Sequence, residues 1–509
     1  MTMHGTRAAV RRFCTVLLLM LCGPAWGGDP TPNYPTDPKG WSDAATRDIN
    51  AAYAVLVENH PGVYDPANPG FRDLLKKAQQ QSLALAAQTR DAAGYAAAIS
   101  RFRAVLSDGH AGVFPTLGKT DIGEPTWPGF VAVWRGNGLY VFGSEADGIA
   151  RGAKVVSCDG VAIKDLIVRN VFRFMGRADQ PGQWWSMAGL IFADTKNPFV
   201  TLPKSCVFET SGKTSTQTLA WRPAGQSGKT MREWSNQGIR GDVLAPGMTE
   251  PEPGIFWIAM PTFSLDEKVK AVYGDLIAKI TSDRGKLLGA RAIVLDLRGN
   301  HGGSSSYSRD IAGALWGKAL VDAEMKAHFK DVEIWWRASP GNTEYVRRSA
   351  GEASAKGFPD MAASWTKVAE GMQAALDKGD KFYVARNSSD AKPSTAPAEP
   401  ALKTPVYVIV PGQCASACND ALDVFTRFPN TKLIGAPSSA DSNYLEVRLE
   451  KLPSGLASVV IPNKVWVHRP RASGGFYSPA ITLSDLEWST AAFLVVVIQD
   501  LAERKTRGG

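Results

Sequence analysis

Between residues 40 and 107 apolar side chains recur every three or four positions: Ile49, Ala52, Tyr53 and Leu56 form one stripe, Leu74, Leu75 and Ala78 another. That spacing predicts helices with one buried face. Pro61 and the run DPANPG at 65–70 interrupt the stripe, and a third helix, over about 91–107, ends at Asp108-Gly109. From 125 to 222 the apolar runs shorten, and strands are predicted over 130–134 and 139–142. From 253 the pattern changes again. Apolar strands at 255–260, 292–297, 405–410 and 432–435 alternate with amphipathic helices at 266–282, 304–316 and 416–427, and a hairpin turns at Pro453-Ser454-Gly455. Such alternation predicts an α/β unit whose parallel or mixed sheet is covered on both faces.

The chain divides accordingly into a leader (1–27), an N-terminal helical domain (28–118), a β-rich module (119–225) and an α/β core in two parts (226–321 and 403–509). Residues 322–402 interrupt the core. They read as helical and charged to about 382 and then as a Ser/Pro/Ala-rich linker, NSSDAKPSTAPAEP, at 387–400. Within the β-rich module the segment 138–167 places a strand, a loop, Gly152, a second strand, an Asp159-Gly160 turn and a helix start in that order. The order is similar to the second half of a PDZ-like module.

Composition narrows the classes. At 509 residues with 44% hydrophobic and 21% charged side chains, the chain has ample material for real cores. A mean hydropathy of −0.14 argues against a multi-span membrane protein. Arg7, Arg11 and Arg12 precede a short apolar run centred on 16–21, and Ala25 and Gly27 supply small residues for cleavage, the pattern of a secretory signal. Cys22 is preceded by Leu21, where a lipoprotein site wants a small residue. Export to the periplasm or medium is expected, without stable membrane insertion. Loss of 1–27 removes three of the 57 basic side chains and none of the 49 acidic ones, so 54 against 49 leaves +5. No basic run is interleaved with aromatics, and nucleic acid is not an expected partner.

Of the six cysteines, Cys158, Cys206, Cys414 and Cys418 follow the leader, and an oxidising compartment would permit two disulfides. Three pairings exist, of which Cys158–Cys206 with Cys414–Cys418 is the most local. Cys414 and Cys418 read equally well as two small buried thiols. Four scattered cysteines do not make a zinc site, no H-E-x-x-H is present, and neither metal nor cofactor is expected.

Two strand–turn–helix corners carry the chemistry. In VLDLRGNHGG (294–303) an apolar strand runs into Gly299, Gly302 and Gly303 and then a Ser-rich helix start. Such a corner exposes backbone N–H groups at a helix N-terminus and suits an anion or oxyanion; it reads also as a glycine turn with Asp296 and Arg298 as a structural pair. It has neither the G-x-G-x-x-G nor the P-loop spacing. In VYVIVPGQCASACND (406–420) Ser416 stands where a strand turns sharply into a helix, with the Ala417 N–H beside it. That is the logic of a nucleophile elbow, although serine is equally a preferred helix N-cap. A serine nucleophile needs a base. His110, in LSDGHAGV (106–113), and His301, inside the glycine corner, are the rivals.

VENHPGVY (57–64), LSDGHAGV, VLDLRGNHGG, CASACND (414–420) and LIGAPSSADSNY (433–444), in this order, resemble the serine peptidase family that includes C-terminal processing and tricorn-type enzymes. The resemblance runs over most of 45–480 apart from 322–402. It implies a crotonase-like α/β catalytic core preceded by a PDZ-like module, and a protein or peptide substrate. It assigns Ser416 as nucleophile, His110 as base in the tricorn-like manner, and an oxyanion hole from Gly302 or Gly303 with the Ala417 N–H. A PDZ-like module would add a substrate chain end as an extra strand, and 322–402 would restrict access as a cap.

The departures are specific. C-terminal processing enzymes place a lysine about 25 residues after the serine, and 436–444 contains none. Asn419 replaces the glutamate of S-A-x-E. Where tricorn-like enzymes carry the acid that orients histidine, this chain has Ala472, Ser473, Gly474 and Gly475. Asp420, Asp441 and Glu446 remain as third members. The missing acid equally suits a catalytically inactive peptide- or ligand-binding protein on the same fold.

Overall fold

The computed structural model describes residues 34–385 and 401–507. The leader predicted at 1–27 and the linker at 387–400 lie outside the described residues. The N-terminal helices are Pro38–Asn59, Phe71–Ala86 and Ala92–Leu106. Asp37 and Asp91 cap the first and third by accepting the N–H of Gly40 and Gly94. Their apolar stripes, among them Ile49, Leu56, Leu75 and Phe102, share one core with Val459 and Ile461 of the long strand Ala457–Val467.

The α/β part is a six-stranded sheet ordered Gly247–Glu252, Ile255–Ala259, Ala292–Asp296, Val406–Val410, Thr431–Gly435, Ile481–Thr482. All neighbours are parallel except the first pair. The continuous apolar runs follow from burial of both faces. Phe256, Ile258, Ile293, Leu295, Val408 and Val410 face a core shared with helices Glu267–Ser282, Ser306–Trp316 and Ala417–Phe425. Their neighbours Trp257, Val294, Tyr407 and Ile409 face the other way, into a core shared with the β-rich region and with Phe493 and Val497 of the C-terminal helix. The result is a mixed α/β chain, and no described helix is long and apolar enough to cross a membrane.

In the β-rich region strands Phe130–Arg135, Gly138–Ser144, Lys154–Cys158, Ser205–Thr210 and Lys213–Thr218 form an antiparallel sheet. The turn at Asp159-Gly160 leads into Ile163–Ile167 as the sequence predicts, but the helical stretch continues through turns to Phe192, which the β-rich reading missed. One sheet edge, Phe130–Arg135, is closed: a Cβ at Gly189 would lie 2.0 Å from the Ala132 carbonyl. An added strand would have to use the exposed edge Lys213–Thr218.

Residues 322–402 also depart from expectation. Besides helices Pro340–Ala355 and Pro359–Asp377, this region supplies two strands, Glu333–Arg337 and Phe382–Ala385. Glu333–Arg337 pairs antiparallel with Ala457–Val467 on one side and with Phe382–Ala385 on the other. Trp335 and Trp336 point to opposite faces, each covered by its own cluster, so no polar alternation marks the strand.

Candidate active site

Strands Ala292–Asp296 and Val406–Val410 are parallel neighbours in register, so the turns at their C-terminal ends emerge side by side. In the first turn Asp296 and Arg298 are the structural pair that the sequence allowed. Both are buried, and the Arg298 guanidinium bonds Asp296, Asp242 and the Trp488 carbonyl. The glycines do something else. The Phe263 N–H donates to the Gly302 carbonyl (3.2 Å) and the Ser304 N–H to the Phe263 carbonyl (2.8 Å), pulling the turn flat against that segment. A Cβ on Gly303 would stand 1.9 Å from the Phe263 oxygen, and one on Gly302 would stand 2.8 Å from the Cβ of Ser416 and 3.2 Å from the Ala417 nitrogen. The two corners are therefore in direct contact, at a distance only glycine permits.

Ser416 has φ 55° and ψ −129°, and its side chain makes no capping bond to helix Ala417–Phe425. The helix-cap reading of Ser416 is thus overturned. A non-glycine residue in this region is strained by about 1–3 kcal/mol and persists only when its surroundings enforce it. Two groups do so. The Ser416 N–H donates to Asp441 Oδ2 at 2.5 Å, and a Cys414–Cys418 disulfide brackets the residue on both sides. The other disulfide, Cys158–Cys206, joins directly opposed residues on adjacent strands.

The freed hydroxyl of Ser416 lies 3.3 Å from His110 Nε2, although 306 residues separate the two in the chain. His110 occupies the short loop between helix Ala92–Leu106 and strand Gly112–Pro115, and that strand is zipped against Ala457–Val467. The loop is fixed by Asp108, whose Oδ1 accepts the His110 N–H at 2.8 Å and the Ser442 hydroxyl at 2.7 Å. Asp108 and His60 lie inside the motifs LSDGHAGV and VENHPGVY, but no sequence signal gives either a place in the site. Burial alone would raise the Asp108 carboxyl; the imidazoles of His60 and His110 and the Ser442 hydroxyl outweigh it and hold the carboxyl below the ordinary aspartate value.

His301, the rival base, is not brought to Ser416: it is exposed, with Nε2 3.1 Å from Arg240. None of the three acids considered as third member bonds His110 either. Asp420 takes the Ser305 hydroxyl (2.6 Å) and the guanidinium groups of Arg469 and Arg471. Against burial, those two cations hold its carboxyl low. Asp441 bonds the Ser416 N–H and the Asn419 amide (3.1 Å), and lies 3.6 Å from Arg471. Glu446 is paired with Lys464 at 3.3 Å, its carboxyl raised by burial. His110 Nδ1 is buried and, among the described residues, has no hydrogen-bond partner. The Gly302 N–H donates to Asn300 Oδ1 at 2.8 Å, which removes it from the set of free donors beside Ser416.

The backbone as a whole is similar to two solved structures: mature CPAF complexed with lactacystin (TM-score 0.58, 13% identity, 91% of this chain and 98% of that one) and mature CPAF (TM-score 0.57, 14% identity, 87% and 93%). At such identities the likeness shows the fold. No curated protein sequence matches the chain. Residues 255–460, which hold both corners and the Asp441 loop but not His110, match the model of peptidase family S41.

Proposed function

We propose that this chain is an exported serine peptidase with Ser416 as nucleophile and His110 as base. The observation that carries it is the 3.3 Å approach of His110 Nε2 to the hydroxyl of a strained, uncapped serine. The family match over 255–460 supports a peptidase independently. Two disulfides and the leader pattern support export.

In this reading Ser416 Oγ attacks a peptide carbonyl carbon while its proton passes to Nε2. The oxyanion is received by the Gly303 and Ala417 N–H groups. The parallel bridge to Phe263 uses the Gly302 carbonyl and the Ser304 N–H, not the N–H of Gly303, and the first N–H groups of a helix lack intrahelical partners. One such donor lowers the barrier by about 3 kcal/mol. Collapse of the intermediate breaks the C–N bond, and the leaving amine takes the proton from Nε2. Water then hydrolyses the acyl-enzyme by the same exchange.

The unpartnered Nδ1 favours a second reading, a peptide-binding protein without turnover. Intact mass after treatment with a fluorophosphonate decides between them. A single adduct on the wild type, absent from Ser416→Ala, is expected; a folded wild type that takes no adduct selects the binding protein.

A further inference from the structure

We propose that Asp108, held in place by the buried imidazole of His60, is the positioning residue that supplies the charge missing from His110 Nδ1. The inference rests on the serine-hydrolase reading above. In most arrangements of this kind an acid bonds the second ring nitrogen directly. Here, among the described residues, the carboxylate that bonds the His110 loop is Asp108, and it approaches from the backbone side.

Three observations carry it. First, Asp108 is sealed: its side chain is 4% exposed, one oxygen serves the His110 N–H and the Ser442 hydroxyl, and the other lies 3.6 Å from His60 Nε2. Second, His60 is built to face it. The ring is fully buried, stacks on Phe71 at 4.2 Å and meets the edge of Tyr444 at 4.8 Å. Its Nδ1 accepts the Gly62 N–H at 2.9 Å, which assigns the hydrogen of the neutral ring to Nε2, the atom turned towards Asp108. Burial pushes the His60 imidazole below its ordinary value despite Asp108 and Asp65, so the pair retains the negative charge of Asp108. Third, the turn carrying His60 is gripped from outside. Ser339 donates to the Asn59 side chain (2.8 Å), Asn342 to the Asn59 carbonyl (2.8 Å) and Arg337 to the Glu58 carbonyl (2.7 Å). The described part of 322–402 therefore serves the site as a brace for His60.

A carboxylate buried without a bonded cation is costly, and an Asx turn needs none, since asparagine makes the same bond. What asparagine lacks is the charge. When His110 takes the Ser416 proton it becomes an imidazolium, and a nearby desolvated carboxylate stabilises that form through space. The other groups facing this pocket are Asp65 and Tyr444, bonded to each other at 2.9 Å, Arg177 on the Ser107 carbonyl, and Asp441 beside Gly109.

The test is the second-order rate of fluorophosphonate labelling against pH for wild type, Asp108→Asn, His60→Gln and the double variant, each checked for folding by thermal unfolding. Asp108→Asn keeps the Asx turn. Its plateau rate is expected to fall roughly tenfold or more, and the acidic limb to move to lower pH, because loss of the carboxylate disfavours the imidazolium. His60→Gln is expected to fall less, and to add little in the Asp108→Asn background, since both act through one charge. A wild-type rate and limb in Asp108→Asn would overturn the proposal. So would a lowered plateau with an unmoved limb, which is the signature of a structural role. If Asp108→Asn does not fold, a His60→Gln limb at the wild-type position overturns it, and a limb moved towards lower pH supports it. A folded wild type that is never labelled removes the hydrolase reading itself, and this inference with it.

Discussion

Replacing Gly302 by alanine tests the contact between the two corners. The added Cβ would meet the Ala415 oxygen and the Ser416 Cβ at 2.8 Å, at a backbone φ of +108°. The backbone conformation alone costs an alanine about 1–3 kcal/mol. The contacts add a displacement of several tenths of an ångström, since Cβ atoms do not stand that close to backbone oxygen. Ser416 and His110 start at 3.3 Å, near the outer limit of a useful hydrogen bond, so the displacement falls on the one distance the proposed chemistry needs. Misplacement by about 1 Å costs about a hundredfold, and a shift of half that size should cost roughly tenfold. Fluorophosphonate labelling of Gly302→Ala should therefore slow roughly tenfold to a hundredfold, with Tm lower by a few degrees. Gly299→Ala is the control: its φ is +84°, but its Cβ would meet the Val243 side chain at 3.2 Å and not Ser416. It should lose a similar amount of stability and keep most of its labelling rate. Equal labelling of Gly302→Ala and wild type would refute the geometry of the corner, and equal slowing of both variants would refute the specific role of the contact.

Three further outcomes follow from the same geometry. Cys414→Ala/Cys418→Ala removes the bracket around Ser416, and should slow labelling while leaving the Cys158–Cys206 bond intact by peptide mapping; unchanged labelling would show that Asp441 alone holds the corner. Asp441→Ala leaves the Ser416 N–H without its acceptor, costing about 1–3 kcal/mol in chemical denaturation, and should slow labelling; an unchanged denaturation midpoint would refute this. His60 is pushed down in the folded state, so the unfolded chain binds the extra proton between the lowered value and about 6.5, and stability rises with pH across that window and is lost as pH falls through it. In His60→Gln that part of the slope of stability against pH should vanish; a slope equal to wild type would refute the assignment.

The local patterns were legible because their causes are local. Three-to-four spacing and the DPANPG break located the N-terminal helices, and runs such as VYVIV identified strands buried on both faces. The strand Glu333–Arg337 was not legible, because its two adjacent tryptophans each find a separate apolar cluster and leave no alternation to see. The helical stretch after Ile163 was missed for a related reason: short apolar runs fit either period until their packing partners are known.

The site divides in the same way. By itself the sequence determined two glycine- and serine-bearing corners, an Asp-Gly-His loop, and the absence of a lysine or acid where relatives of such motifs would carry one. It could not decide whether the Ser416 side chain caps its helix or points away from it, because both uses place serine at the same point of a strand–turn–helix. Tertiary structure decided that: Asp441 takes the Ser416 N–H, the residue is forced to φ 55°, and the hydroxyl is turned out towards His110. It likewise separated His110 from His301, and joined His60 to Asp108 across 48 positions. These are contacts between residues tens to hundreds of positions apart. They are set by which strands pair and which faces are buried, and a one-dimensional pattern carries no distance between its parts.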